Sequence, residues 1–272
     1  GHCRWLAWCG TMTEPVTNSS RDNAFVKEVR RLAHGNTDYR TRGRFWAEGD
    51  HLVRAALARG VRPAIGVFSE SFWPLVQAQY TNVAIKNIVI SDLLFDDISG
   101  LESPARMGFV FDLAAAPAVQ GQLASVILDR VQDAGNVGAI LRSASAFGFR
   151  QVIALKGTAA LWSPKVLRAG MGAHWGLDLL ESADVSVLDQ LTCPLLVTSS
   201  HQGAYLHQIL QKRELPMPCV WALGHEGQGV CEALQARATL HVRIAQPGGE
   251  ESLNVAAAAA ICLHASATAS LG

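Results

Sequence analysis

From residue 125 onward, short apolar runs alternate with helix-like segments, and three of the runs lead into glycine-rich polar turns. This alternation constrains the fold more than any other feature of the chain. Ser125–Leu128, Gln151–Leu155, Leu195–Thr198, Val220–Leu223 and Leu240–Ile244 read as strands. Helices are expected over about 137–147, closed by Gly148, over 164–171, and over about 253–265 with Ser252 as cap. Short apolar strands alternating with helices indicate an α/β fold around a mainly parallel sheet covered on both faces.

In such sheets, ligands sit beyond the carboxyl ends of the strands. Three loops occupy those places. The first is Asp133-Ala134-Gly135-Asn136-Val137-Gly138, with Arg142 one helical turn later. The second is Gly224-His225-Glu226-Gly227-Gln228-Gly229, and the third runs from Gln246 through Gly248-Gly249 to Ser252-Leu253-Asn254. Glycines let the backbone approach a ligand closely, and helix N-termini add donors. Familiar alternatives lack their fingerprints. No G-x-G-x-x-G follows a first strand, and G-x-x-x-x-G-K-[ST], G-x-S-x-G and H-E-x-x-H are absent.

The N-terminal half reads as a smaller α/β module. A helix is expected over 21–33, a polar loop over 37–43 and a second helix over 50–59, ended by Gly60. Strands are expected at 63–68 and 107–111, with strand and helix alternation between them through 83–85, 88–90 and 92–95. Residues 113–122 lack periodicity and suit a linker. The chain therefore divides into an extension (1–20, read as a poorly ordered tag), a module at 21–112, the linker, and a larger module at 123–272. Gly1-His2 looks like a cloning scar, with Met12 a candidate start.

Charge is balanced overall, but ten Lys/Arg face five Asp/Glu between Arg21 and Arg62. A surplus there marks a candidate phosphate-facing surface; the alternative is a solvated helix face. Arg30, Arg31, Arg40, Arg42 and Arg44 are the candidate phosphate contacts. No apolar run reaches the ~18 residues of a membrane span. The six cysteines form no C-x-x-C pair or zinc spacing, so no metal is expected, and free thiols in a reducing cytosol are the reading.

The three loops resemble the signature motifs of the SpoU/TrmH branch of the SPOUT RNA methyltransferases. The first motif is Leu128-Asp129-Arg130-Val131-Gln132-Asp133-Ala134-Gly135-Asn136-Val137-Gly138-Ala139-Ile140-Leu141-Arg142-Ser143-Ala144. The second spans Ala222 to Val230, and the third ends in Glu251-Ser252-Leu253-Asn254-Val255-Ala256. Pro164 to Ala173 is a further family-like stretch, and Phe45 to Gly60 resembles a small ribosomal-protein-like RNA-binding domain. Ala134 and Gly170 depart from the Pro and Ser common in relatives, and Ala105-Arg106 also differ.

The resemblance implies a deep trefoil knot, a homodimer, and S-adenosylmethionine held by the knot loops. It implies methyl transfer to a ribose 2′-hydroxyl of structured RNA, with rRNA favoured over tRNA, in the cytoplasm. Arg142 becomes the foremost catalytic candidate. Asn136 fixes its loop or contacts the nucleotide. Glu226 orients Arg142 or a backbone N–H of the second loop. Ser252 and Asn254 cap the last helix and shape the catalytic face. Backbone groups around Leu223, Gly224, Gly229, Ile244, Leu253 and Asn254 hold the cofactor. Lys165 and Arg168 contact RNA or solvate a helix, and His225 reads as an exposed loop residue. The competing readings are a non-catalytic RNA-binding protein on this fold and a nucleotide-dependent oxidoreductase.

Overall fold

The computed structural model describes residues 16–18, 23–249, 252–269 and 271. The N-terminal half contains β1 (Val16–Asn18), α1 (Ala24–His34), α2 (Asp38–Arg42), β2 (Arg44–Glu48) and α3 (Asp50–Ala58). It continues with β3 (Ile65–Ser69), α4 (Trp73–Tyr80), β4 (Lys86–Ile90), α5 (Asp92–Ile98) and β5 (Met107–Asp112). Among the described residues these strands form one mixed sheet of order β1-β4-β3-β5-β2.

Three expectations change here. Residues 16–18 belong to the fold: β1 pairs parallel with β4, where it covers a row of backbone groups at a sheet edge. The rest of 1–20, with Arg21, lies outside the described residues, as do Glu250 and Glu251. The polar stretch 37–43 is not a loop but α2, seated by the buried ring of Tyr39 and ended by Gly43 at φ +66°. Helix α4 was not expected; it buries Trp73 and Tyr80.

After the irregular 113–122 segment come β6 (Ser125–Asp129), α6 (Ala134–Ala146), β7 (Gln151–Leu155), α7 (Pro164–Gly170) and β8 (Asp178–Ala183). Then follow β9 (Leu195–Thr198), β10 (Ala204–Tyr205), α8 (Leu206–Gln211), β11 (Val220–Gly224), α9 (Glu232–Arg237), β12 (Leu240–Arg243) and α10 (Val255–Ala269). The sheet order is β10-β12-β9-β11-β6-β7-β8, and every pairing is parallel. Strands β6, β7 and β11 are buried along their whole length, as strands covered on both faces must be.

Helix starts follow local chemistry. Asp133 accepts from Asn136 N–H at 2.8 Å and opens α6. Ser163 caps α7, whose first residue is Pro164. The last helix is capped by Asn254 rather than by Ser252: Asn254 Oδ1 accepts from Ala256 and Ala257 N–H at 2.9 and 3.1 Å. Farther along α10, Ser266 takes the indole N–H of the fully buried Trp221 at 2.8 Å, pinning the helix to β11.

The two halves pack together. Ala160 and Leu167, from the second half, belong to the hydrophobic core of the first. Phe45 lies 4.7 Å from the Trp162 ring, and Phe111 lies 5.3 Å from Trp175.

Helix α6 also packs closely on α7 at Gly138. A Cβ there would stand 2.4 Å from Ala169 Cβ and 2.8 Å from Gly170 N. Gly138→Ala is therefore expected to destabilise the protein by about 1–3 kcal/mol, because backbone must move to make room. Thermal unfolding should show a Tm lower by roughly 2–12 °C, at about 2–4 °C per kcal/mol for a domain of this size.

Candidate active site

The loops after β6, β11 and β12 emerge at the same edge of the sheet because the strands are parallel. Chain order reverses beside β6: β7 and β8 extend to one side, while β11 and β9 lie on the other. Such a reversal opens a crevice at the carboxyl ends, the usual ligand position in open α/β sheets.

One hydrogen-bond chain joins the three loops. Asn136 Oδ1 accepts from Asn254 Nδ2 at 2.9 Å, and Asn136 Nδ2 donates to Glu226 Oε1 at 3.5 Å. The Glu226 carboxylate also accepts from Gln132 and Asp133 N–H, at 3.2 and 3.0 Å. Glu226 thus grips the first loop's backbone. Its own backbone N–H, in the second loop, also faces the carboxylate, as expected of a residue that orders that loop, while no contact with Arg142 is seen among the described residues. Burial alone would raise its pKa, but the amides of Asp133, of Glu226 itself and of Gln132, with the Asn136 side chain, outweigh this and hold it below the ordinary carboxylate value.

His225 is half-buried rather than a free loop residue. Its Nδ1 accepts from Gly227 and Gln228 N–H at 2.9 and 3.0 Å, which leaves Nε2 to carry the proton facing Gln132 Oε1 at 3.3 Å. The ring is a template for the second loop.

Two residues that sequence reasoning gave no role complete the frame. Asp129, 2 % exposed at the end of β6, accepts from Cys231 N–H at 2.7 Å and from its neighbour Arg130 at 3.1 Å. Arg130, at φ +60°, donates to Gln228 Oε1 at 2.8 Å and to Gly229 O at 3.3 Å. The signal was present in the sequence as a charged pair closing an apolar strand. A further loop was also missed. It follows β9, between the other two strands, where Ser199 Oγ accepts from His201 and Gln202 N–H, both at 3.2 Å.

The remaining candidates fall into groups. Leu223 and Gly224 are buried at the end of β11, Ile244 is half-buried, and Gly229, Ser252 and Leu253 are exposed. Arg142 is exposed on α6, and no hydrogen bond or ion pair from it is seen among the described residues. Lys165 and Arg168 are exposed on α7. Of the N-terminal arginines, Arg30 pairs with Asp97 at 2.7 Å, Arg40 with Glu181 at 3.0 Å and Arg44 with Asp112 at 3.1 Å. These three already have carboxylate partners. Arg31 and Arg42 are exposed on α1 and α2. The departures also find places: Ala134 is the first residue of α6, where Pro is readily tolerated, and a Cβ on Gly170 would meet the His174 ring at 2.8 Å.

Fold and site define a parallel α/β domain whose polar motif loops meet at the carboxyl edge of its sheet, joined to a smaller α/β module. The chain belongs to the SpoU rRNA Methylase family, whose sequence pattern matches residues 124–264. Residues 23–107 match the MRM3-like substrate binding domain. The chain is 29% identical over 249 residues to the 23S rRNA (guanosine(2553)-2′-O)-methyltransferase RlmP of Bacillus subtilis, covering 90% of this chain and 96% of that one. It is 32% identical over 152 residues to the 23S rRNA (guanosine-2′-O-)-methyltransferase RlmB of Bordetella pertussis, covering 54% of this chain and 60% of that one. Among solved structures, the AdoMet-bound rRNA methyltransferase of Sinorhizobium meliloti superposes with TM-score 0.78 at 25% identity, covering 92% of this chain and 96% of that one. AviRb of Streptomyces viridochromogenes shares the fold, with TM-score 0.81 at 21% identity and coverage of 92% and 99%.

The lowered Glu226 pKa gives a pH prediction. A depressed native pKa contributes stability that is full above the unfolded value, about 4.3, and is lost as pH falls through the native value. Thermal unfolding of wild type and Glu226→Gln should differ by a constant amount above about pH 5 and converge at lower pH.

Proposed function

We propose that this chain transfers a methyl group from S-adenosylmethionine to a ribose 2′-hydroxyl of ribosomal RNA. The observation that carries the reading is the Glu226–Asn136–Asn254 chain, which locks three motif loops around one crevice with exposed Arg142 on the helix that leaves it.

The crevice suits a nucleoside cofactor. Gln246 Oε1, in the third loop, is a buried acceptor without a partner, ready for a donor such as an amine. Gly248 and Gly249 are exposed, and a Cβ on either would meet nothing within 4 Å. Leu223, Ile244 and Leu253 provide apolar walls. When bound, the cofactor supplies a methyl group activated on a sulfonium. The chain's own contribution is alignment and electrostatics. Asn136 and Glu226 keep the loops in register. Arg142 is a poor base, since its pKa exceeds ~12. Its fitting role is to stabilise charge developing on the 2′-oxygen, or to hold a neighbouring phosphate whose oxygen takes the proton. Helical side chains lean toward the N-terminus, so Arg142 leans back toward the first loop.

The choice of ribosomal RNA is supported by the named activities of the relatives and by the MRM3-like match of the N-terminal half, which we read as the RNA-binding domain (21–112), with 123–272 as the catalytic one. Arg31, Arg42, Lys165 and Arg168 are the exposed cations available to phosphates, whereas Arg30, Arg40 and Arg44 would have to share theirs. No helix among the described residues is long and apolar enough to cross a membrane. A cytoplasmic location suits this substrate and the free Cys193, Cys219, Cys231 and Cys262.

A homodimer is part of the same reading. Helix α10 has no Asp, Glu, Lys or Arg, and Ala257, Ile261, His264 and Thr268 form one exposed stripe along it. An uncharged stripe of this kind suits a second copy. The implied knot is supported by the path of α10, which leaves β12 beyond β9 yet returns to pack on β11 and α6.

Arg142→Ala should lower kcat on RNA by about 10²- to 10³-fold while cofactor affinity, measured by calorimetry, stays within a few-fold. Arg142→Lys should recover only part, because an ammonium lacks the planar fork. Normal turnover in the alanine variant would sink this assignment. For the dimer, Ile261→Glu should convert the protein to a monomer in size-exclusion chromatography with light scattering. For the substrate, mapping 2′-O-methyl sites in RNA from a deletion strain against its parent should show one missing ribosomal site; a missing tRNA site instead would redirect the reading.

A further inference from the structure

A single carboxylate oxygen fastens the N-terminal half to the catalytic half. Glu181, on β8, uses Oε1 to accept from Tyr39 Oη at 2.6 Å, from Arg40 Nη2 at 3.0 Å and from the backbone N–H of Leu161 at 2.8 Å. Tyr39 and Arg40 sit on α2, the first half's short helix, and Leu161 precedes α7. The Trp162 backbone N–H faces the Tyr39 oxygen as well. Burial, then the nearby Glu181 charge, raises the Tyr39 pKa, so the phenol keeps its proton for this bond.

The joint is braced on its other side. Fully buried His174 meets Leu161 O through Nε2 at 2.7 Å, and burial pushes its pKa down to about 4, which keeps the ring neutral. Both the amide and the carbonyl of Leu161 are therefore fixed. The Leu161–Ser163 turn leads directly into α7. Ala169 and Gly170 of α7 press on Gly138 of α6, the helix that carries Asn136 and Arg142. A continuous, well-packed path thus runs from α2 through Glu181 and α7 to the site. A second contact, His51 Nε2 with Met171 O at 3.1 Å, joins α3 to the far end of α7.

We propose that Glu181 is a positioning residue for RNA: it sets the angle of the N-terminal domain, and so the path of the bound strand, relative to the methyl-transfer crevice. Arg40, assigned to RNA by its charge, acts first in this joint. The inference rests on the methyltransferase reading above. Glu181 lies away from the three motif loops, so it should leave the cofactor untouched.

The test is steady-state methylation of RNA by the full chain, with cofactor affinity measured separately by calorimetry. Glu181→Ala should raise KM for RNA on the order of 10- to 100-fold, the scale expected of a small misplacement of substrate, with cofactor Kd within about twofold. Glu181→Gln keeps an acceptor oxygen and should restore most of the loss. Tyr39→Phe, which leaves the carboxylate in place, should shift KM in the same direction and covers the case in which Glu181→Ala does not fold. Hydrogen exchange at the Leu161 amide, independent of activity, should accelerate in Glu181→Ala. An unchanged KM overturns the proposal, and so does a cofactor Kd weakened in parallel with KM. If the wild type methylates no RNA, the functional reading fails instead, and RNA affinity of Glu181→Ala against wild type then decides the joint by itself.

Discussion

Parallel strands point their carboxyl ends the same way, so the loops after β6, β9, β11 and β12 must emerge along one edge of the sheet. The rest of the site depends on this constraint. Loops that begin more than a hundred residues apart become neighbours without any of them being long. Once adjacent, they need only a few polar side chains to hold them in register. Asn136 suits that task because a carboxamide both donates and accepts: it gives a proton to Glu226 and takes one from Asn254. A hydrophobic side chain in its place would leave two loops without a link and a carboxylate short of a donor.

The frame is built from groups whose hydrogen bonds hold the loops together. Glu226, His225, Asp129 and Arg130 spend most of their hydrogen bonds on backbone amides, backbone carbonyls or each other, and the rest on Asn136, Gln132 and Gln228. Arg142 stands apart as an exposed cation on the same helix that the frame positions. A site of this kind is preorganised: its polar groups are oriented before a substrate arrives, which is how electrostatic stabilisation becomes effective. The interface between the halves extends the same economy. Aromatic rings from both sides interdigitate around Phe45, Trp162 and Trp175, and Glu181 adds a directional bond at their margin.

Much of the larger module was legible because its strands are uniformly apolar and its turns are marked by glycine. β6, β7, β9, β11 and β12 fall where the runs of Val, Ile and Leu place them. Less regular elements were hidden. Helix α2 is a polar string whose one apolar anchor, Tyr39, gives no periodicity, and β1 is three residues whose only reason to extend is the exposed edge of β4. Helix α4 mixes apolar and polar residues without an amphipathic stripe. At the site, residue types were legible but partners were not. Glu226 could be marked as important from its motif, but the motif does not show that it also accepts from backbone amides 93 and 94 positions away. The arginines 30, 40 and 44 looked like a free basic surface because linear charge counting cannot see Asp97, Glu181 and Asp112 across the fold.

The sequence by itself determined the three glycine-rich turns, their order, and the short apolar runs that make the sheet parallel. Those features are local: backbone freedom at glycine, strand length and capping side chains act within a few residues. Tertiary structure alone decided which polar groups meet. It turned Glu226 toward the first loop and joined Tyr39 and Arg40 to Glu181. Hydrogen bonds are short-ranged and directional, so pairs separated by a hundred residues acquire partners only after the sheet has fixed where each strand ends.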